Sequence, residues 1–184
     1  MIERIRCRRS FFALAPTFEL SDEQGNLLLY GREKSFALKD EVRIFTDRSK
    51  TAEAFRLKQK NILREHGEFE VIASESLGTF KRMGRSWSIY GPDGNTLCAF
   101  SEGGASRLHV GLGLGAQLSG LLLGFMPRTF AFTVGDRPAG SFREHATFFG
   151  YTATLTLEDL PPGFDRRLAL AGAVLLAAFE LIRR

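Results

Sequence analysis

The sequence predicts a mainly β protein: a closed antiparallel β-barrel of about twelve strands enclosing a central hydrophobic helix from its own C-terminal region. Two observations carry this. First, short apolar runs follow one another, punctuated by turn signals at GN (25–26), GPDGN (91–95) and GDRP (135–138). Strands in such succession, without helices between them, build an antiparallel sandwich or barrel. Second, residues 168–182 read LALAGAVLLAAFELI, which is rich in Ala and Leu, lacks Pro and is apolar on every face up to Glu180. A helix that is apolar all round must be buried in protein or in lipid. Its 15 residues rise about 22 Å, short of the roughly 30 Å of a bilayer core. The interior of a closed barrel is the one place in a chain of strands that surrounds a helix on all sides.

Taken in order, the chain opens on a basic strand in which Cys7 lies among Arg4, Arg6, Arg8 and Arg9. Strands are then expected over 11–20, 26–33, 40–47, 52–60, 68–75, 77–83, 86–91, 96–101, 129–135, 138–145 and 148–157. The segments LGTFKR (77–82) and AGSFRE (139–144) are self-similar, and each precedes an aromatic-rich strand, SWSIY (86–90) or TFFGYTATL (147–155). Two copies of a strand pair suggest two related halves of one sheet. Residues 108–126, LHVGLGLGAQLSGLLLGFM, break the pattern, with only His109, Gln117 and Ser119 polar. This apolar, Gly-rich stretch, within an insertion at 105–128, is expected as a helix or loop packed on the barrel; an oligomer contact or membrane contact is the alternative. Asp165 suits the N-cap or first turn of a core helix over 166–182, and Arg183 and Arg184 suit its C-terminal dipole end. Residues 1–184 read as a single domain.

Composition removes several function classes. Two cysteines, Cys7 and Cys98, lie 91 positions apart, which excludes a disulfide framework or a clustered-thiolate zinc site and suits a reducing compartment. The N-terminus lacks a long apolar run, so no secretory signal is expected. Cys7 among its arginines is a setting for lipidation or, more simply, part of a solvated basic strand. His66, His109 and His145 have no metal-ligand spacing, and no nucleophile elbow is present. Gly111, Gly113 and Ala116, followed by Asp136, mimic a dinucleotide-binding run, but the 48 residues after Asp136 leave no room for a second βαβ unit. The net charge is a mild +4, and its 19 Arg and 6 Lys are dispersed. Phe80, Trp87 and Phe148 occupy strand positions and read as core. No enzyme activity, cofactor, metal or nucleic-acid partner is expected.

Three stretches carry a family resemblance. Residues 18–47, FELSDEQGNLLLYGREKSFALKDEVRIFTD, resemble the LURP-one pattern of strand, D-x-x-G-N turn, strand, basic linker and a strand ending in Asp. Residues 77–90, LGTFKRMGRSWSIY, resemble a tubby-type Gly-x-aliphatic-basic strand leading to an aromatic F-x-I-Y strand. Residues 164–182, FDRRLALAGAVLLAAFELI, resemble the terminal core helix of LURP-one and scramblase-like members. The whole is similar to the tubby C-terminal-like superfamily, which includes tubby, the phospholipid scramblases and the LURP-one-related proteins, and is nearest to bacterial LURP-one-like members. In tubby, outward basic residues on the matching strand hold a phosphoinositide headgroup. Strand alternation turns Phe80 and Phe142 inward, and Thr79, Lys81, Ser141 and Arg143 outward. The resemblance therefore implies an anionic phospholipid site at Lys81 and Arg143, with Arg82 and Arg85 adding charge nearby. Thr79 stands where tubby has lysine. Scramblase-like members are proposed to bind calcium through acids before the terminal helix. The acids here, Glu158, Asp159 and Asp165, lack the spacing of a calcium loop, and Asp165 is more simply a helix cap. The expectation is a non-enzymatic, cytoplasmic module, peripheral at the inner face of the membrane; a membrane-inserted scramblase-like protein or a protein-interaction module without lipid is the alternative.

Overall fold

The computed structural model describes residues 2–10, 16–33, 41–60, 67–103, 127–145 and 151–179. Twelve strands are present: β1 Ile2–Ser10, β2 Thr17–Ser21, β3 Leu27–Glu33, β4 Glu41–Phe45, β5 Glu53–Gln59, β6 Glu68–Ile72, β7 Ser76–Met83, β8 Ser86–Tyr90, β9 Thr96–Glu102, β10 Thr129–Val134, β11 Arg137–His145 and β12 Tyr151–Glu158. Among the described residues one helix follows, α1, Arg166–Phe179. Each strand pairs antiparallel with its sequence neighbours, and β1 pairs with β12 to close the barrel. The closing register runs from Ile2 opposite Glu158 to Arg9 opposite Tyr151. The expected barrel and its helix are both there. The segment 108–126, the dinucleotide-like Gly111, Gly113 and Ala116, and also His66, Phe148 and Arg183–Arg184, lie outside the described residues.

The alternation in sequence sets the two faces. In β1, Ile5 and Cys7 point inward and are fully buried, whereas Arg4, Arg6 and Arg8 between and beside them are exposed. Inward phenylalanines from β2, β5, β6, β7, β9, β10 and β11 line the lumen with Trp87 of β8. They surround α1, whose residues from Leu168 to Ala178 are all buried. From Leu168 to Ala178 the helix is thus buried on every face. Gly172 shows how tight the fit is. A Cβ there would lie 2.2 Å from Cε2 of Phe100, whose ring is stacked on Phe132 with centroids 4.6 Å apart.

Both ends of α1 are satisfied by charged side chains. At the start, Asp165 accepts from the Arg167 amide at 2.9 Å and from the Arg167 guanidinium on both oxygens. The hydrogen bonds from Arg167 hold the Asp165 carboxyl below the usual carboxylate range. A depressed carboxyl stabilises the fold above its unfolded pKa of about 3.9, and that contribution is lost as pH falls through the folded value. Asp165→Ala is expected to cost about 1 kcal/mol at pH 7. The difference from the parent should begin to shrink below about pH 4 and be lost as pH falls further, through the depressed folded value; chemical denaturation at several pH values measures this. At the far end the cap is Arg9, reaching in from β1. Its Nη1 donates to the carbonyls of Ala177 and Ala178 at 3.4 and 3.3 Å, and its guanidinium lies 5.3 Å from the Phe18 ring centroid. A cation here complements the negative end of the helix dipole.

The two self-similar strands are β7 and β11, and they stand four strands apart in a ring of twelve. They are related by a third of the circumference, not by the half-turn expected of two sheet halves. Their shared glycines do similar work. A Cβ on Gly78 would lie 2.8 Å from the Tyr90 carbonyl oxygen, and one on Gly140 would lie 1.9 Å from that of Thr156.

Candidate anion-binding face

Cys7 is not a modification site. It faces the core, and burial pushes its thiol up to about 12, out of reach of acylation. The acids before the helix are placed separately: Glu158 is exposed at the end of β12, Asp159 follows it, and Asp165 caps α1. Among the described residues, no three His, Cys, Asp or Glu side chains gather to hold a metal ion.

The four cations singled out from sequence do not converge. Lys81 points outward on β7, as expected, but its Nζ lies 3.6 Å from Glu68 and 5.4 Å from the Tyr90 ring centroid. Arg82 has the inward parity of Phe80; its Nε donates to the Gly84 carbonyl at 3.1 Å and its guanidinium sits 5.6 Å from the Trp87 ring centroid. Arg85, in the turn to β8, is 3.6 Å from Glu102. These three share one hairpin. Arg143 is four strands away, roughly 19 Å around the barrel at about 4.8 Å per strand.

Arg143 instead joins cations from β1. The antiparallel registers set three rows on the outer surface. Arg4, Thr156 and Ser141 form one. Arg6, Thr154 and Arg143 form the next. Arg8, Thr152 and His145 form the third. Successive rows are about 6.7 Å apart, two residues along a strand. The His145 Nε2 lies 2.8 Å from the Thr154 hydroxyl. Arg4 is bridged to Glu23 at 3.1 Å, but Arg6, Arg8 and Arg143 have no ion pair among the described residues. Glu19, opposite Arg8 on β2, is taken by Arg48 at 3.0 Å.

The surroundings differ sharply between the two sides of the barrel. Among the described residues, the outward positions of β9 through β12 and β1 carry a single carboxylate, Glu158 at the end of β12. The rest are Thr, Ser, Ala, Leu, Ile, Pro138 and His145 beside the cations. The outer surface of β4 through β7 mixes both signs in ion pairs: Arg43 with Glu41 at 2.6 Å, Arg56 with Glu53 at 3.9 Å, and Lys81 with Glu68. Charge on that side is largely cancelled locally, whereas the β1–β12–β11 face keeps its positive field. Arg6 and Arg8 were not singled out from the sequence as companions of Arg143. The signal was present in IERIRCRR, where arginine alternates with buried Ile5 and Cys7.

These features define a class: a closed twelve-strand barrel filled by its own helix, bearing one acid-poor basic face. The family model of the LURP-one-related proteins matches residues 27–177, most of the chain. The chain belongs to the LURP-one-related family, consistent with the tubby-like superfamily that its sequence resembles. No curated protein matches it.

Proposed function

We propose that the protein is a non-enzymatic module that associates peripherally with membranes by binding anionic phospholipid headgroups. The observation that carries this reading is the cluster of Arg6, Arg8 and Arg143 on a face almost free of carboxylates. Cations near an anionic bilayer contribute about 1 kcal/mol each within a Debye length. In this reading the protein works at the inner, anionic face of the membrane, with Lys81, Arg82 and Arg85 as a weaker, locally neutralised contribution. Peripheral contact is favoured over a scramblase-like insertion because the outer surface carries arginines, glutamates and threonines, where a membrane-spanning barrel carries an apolar band. No helix among the described residues is long and apolar enough to cross a membrane.

Co-sedimentation with neutral and anionic vesicles at two salt concentrations tests the reading. The parent chain should bind anionic vesicles, less so at high salt. Replacing Arg6, Arg8 and Arg143 together by Ala should weaken binding roughly 100-fold, from about 3 kcal/mol of lost attraction. Lys81→Ala should change it by no more than about twofold, since its charge is already paired. Absence of binding by the parent would favour the protein-interaction reading.

A further inference from the structure

Resting on that reading, we propose that Arg6, Thr154 and Arg143 form a discrete site for a single phosphate monoester. The register puts the two arginines one strand to either side of Thr154, in one row on the outer face. Their Cα atoms are thus about 9.6 Å apart, twice the strand spacing, and a guanidinium from each side can fold over the threonine between them. All three residues are solvent-accessible, and neither arginine is held by an acid among the described residues. His145 contacts the Thr154 hydroxyl at 2.8 Å. With Nε2 protonated, the histidine donates to the hydroxyl oxygen and leaves the hydroxyl hydrogen for a ligand.

Donor count selects the ligand. Two guanidinium forks and a hydroxyl offer about five donors from three directions. A phosphate monoester presents three free oxygens and close to two negative charges. A diester presents two free oxygens and one charge, so it leaves a fork unmatched. The same chemistry is found in a lipid headgroup with a terminal phosphate and in a small soluble phosphate. A nucleic-acid strand fits less well: the described outward residues of β9 to β12 and β1 include no Phe, Tyr or Trp, and the His145 imidazole is engaged with Thr154.

The test compares phosphatidylcholine vesicles containing phosphatidic acid, a monoester, with vesicles containing phosphatidylglycerol, a diester, at matched surface charge. The full chain should bind the monoester vesicles about tenfold more tightly. Thr154→Val, Arg6→Lys and Arg143→Lys remove the hydroxyl or the fork while keeping shape or charge. Each should bring that ratio close to one, and Thr154→Val, which removes no charge, should leave diester binding almost unchanged. A parent ratio of one, with binding to both vesicles intact, would overturn the phosphate site and leave the membrane reading standing. Binding to neither vesicle would end the membrane reading. Titration with glycerol 3-phosphate then decides the site: binding that Thr154→Val abolishes supports it with a soluble phosphate as ligand, and no binding overturns it. Tighter binding to a single-stranded oligonucleotide than to either phosphate probe would also overturn it.

Discussion

A chain truncated after Phe164 is expected to show no cooperative unfolding transition. The missing helix supplies Leu168, Leu170, Val174, Leu175 and Leu176, all buried against the strands. Large-to-small changes at such positions cost about 2–5 kcal/mol each. Five together match or exceed the total stability of a typical domain, about 5–15 kcal/mol. The barrel would also expose a lumen lined by phenylalanines, with no other helix among the described residues to fill it. Calorimetry and near-ultraviolet circular dichroism read the outcome. A truncated chain that remained soluble and melted cooperatively would refute the helix-filled core as the basis of the fold.

Among the described glycines, Gly140→Ala should be the most damaging alanine substitution. Gly140 has φ near +143°, a region that residues with a Cβ rarely adopt, and the added carbon would lie 1.9 Å from the Thr156 carbonyl oxygen. That neighbour is backbone in the β11–β12 ladder and cannot swing aside. Strained backbone and overpacking together should cost about 4 kcal/mol. For a chain of this size, that lowers the melting temperature by roughly 10 °C. Gly25→Ala is the comparison. Its φ is also positive, at +86°, but nothing lies within 4 Å of the added carbon. It should therefore lose only the smaller backbone part. Equal losses at the two positions would show that the close approach at Gly140 contributes nothing.

The fold was legible because its signals are local. The helix announced itself by lacking a polar face from Leu168 to Ala178, and short strands with turn residues between them implied the barrel that encloses it. The outward direction of Lys81 and Arg143 also followed from Phe80 and Phe142, since strand alternation is a property of neighbours. The grouping of cations was not local. Arg6 and Arg143 share a row only because β1 closes on β12, which pairs with β11. No spacing within the sequence encodes that register. Likewise, the resemblance between β7 and β11 gave no angular position, so Lys81 and Arg143 seemed partners although they face different sides. The cap on α1 was assigned to arginines that follow it in sequence. Arg9, at the opposite end of the chain, is the one the structure shows in that role.

The central claim is that one side of the barrel, β11, β12 and β1, meets an anionic membrane. The most direct measurement places a fluorescent label on Ser141→Cys, between these cations, and on Glu70→Cys, on the mixed-charge side. The native cysteines do not interfere, because Cys7 and Cys98 are fully buried and their thiols are pushed well above the reactive range. On adding anionic vesicles, the label at 141 should become shielded from an aqueous quencher, and the label at 70 should remain as accessible as in solution. Shielding at 70 but not at 141, or no shielding at either position while the protein is vesicle-bound, would contradict the account.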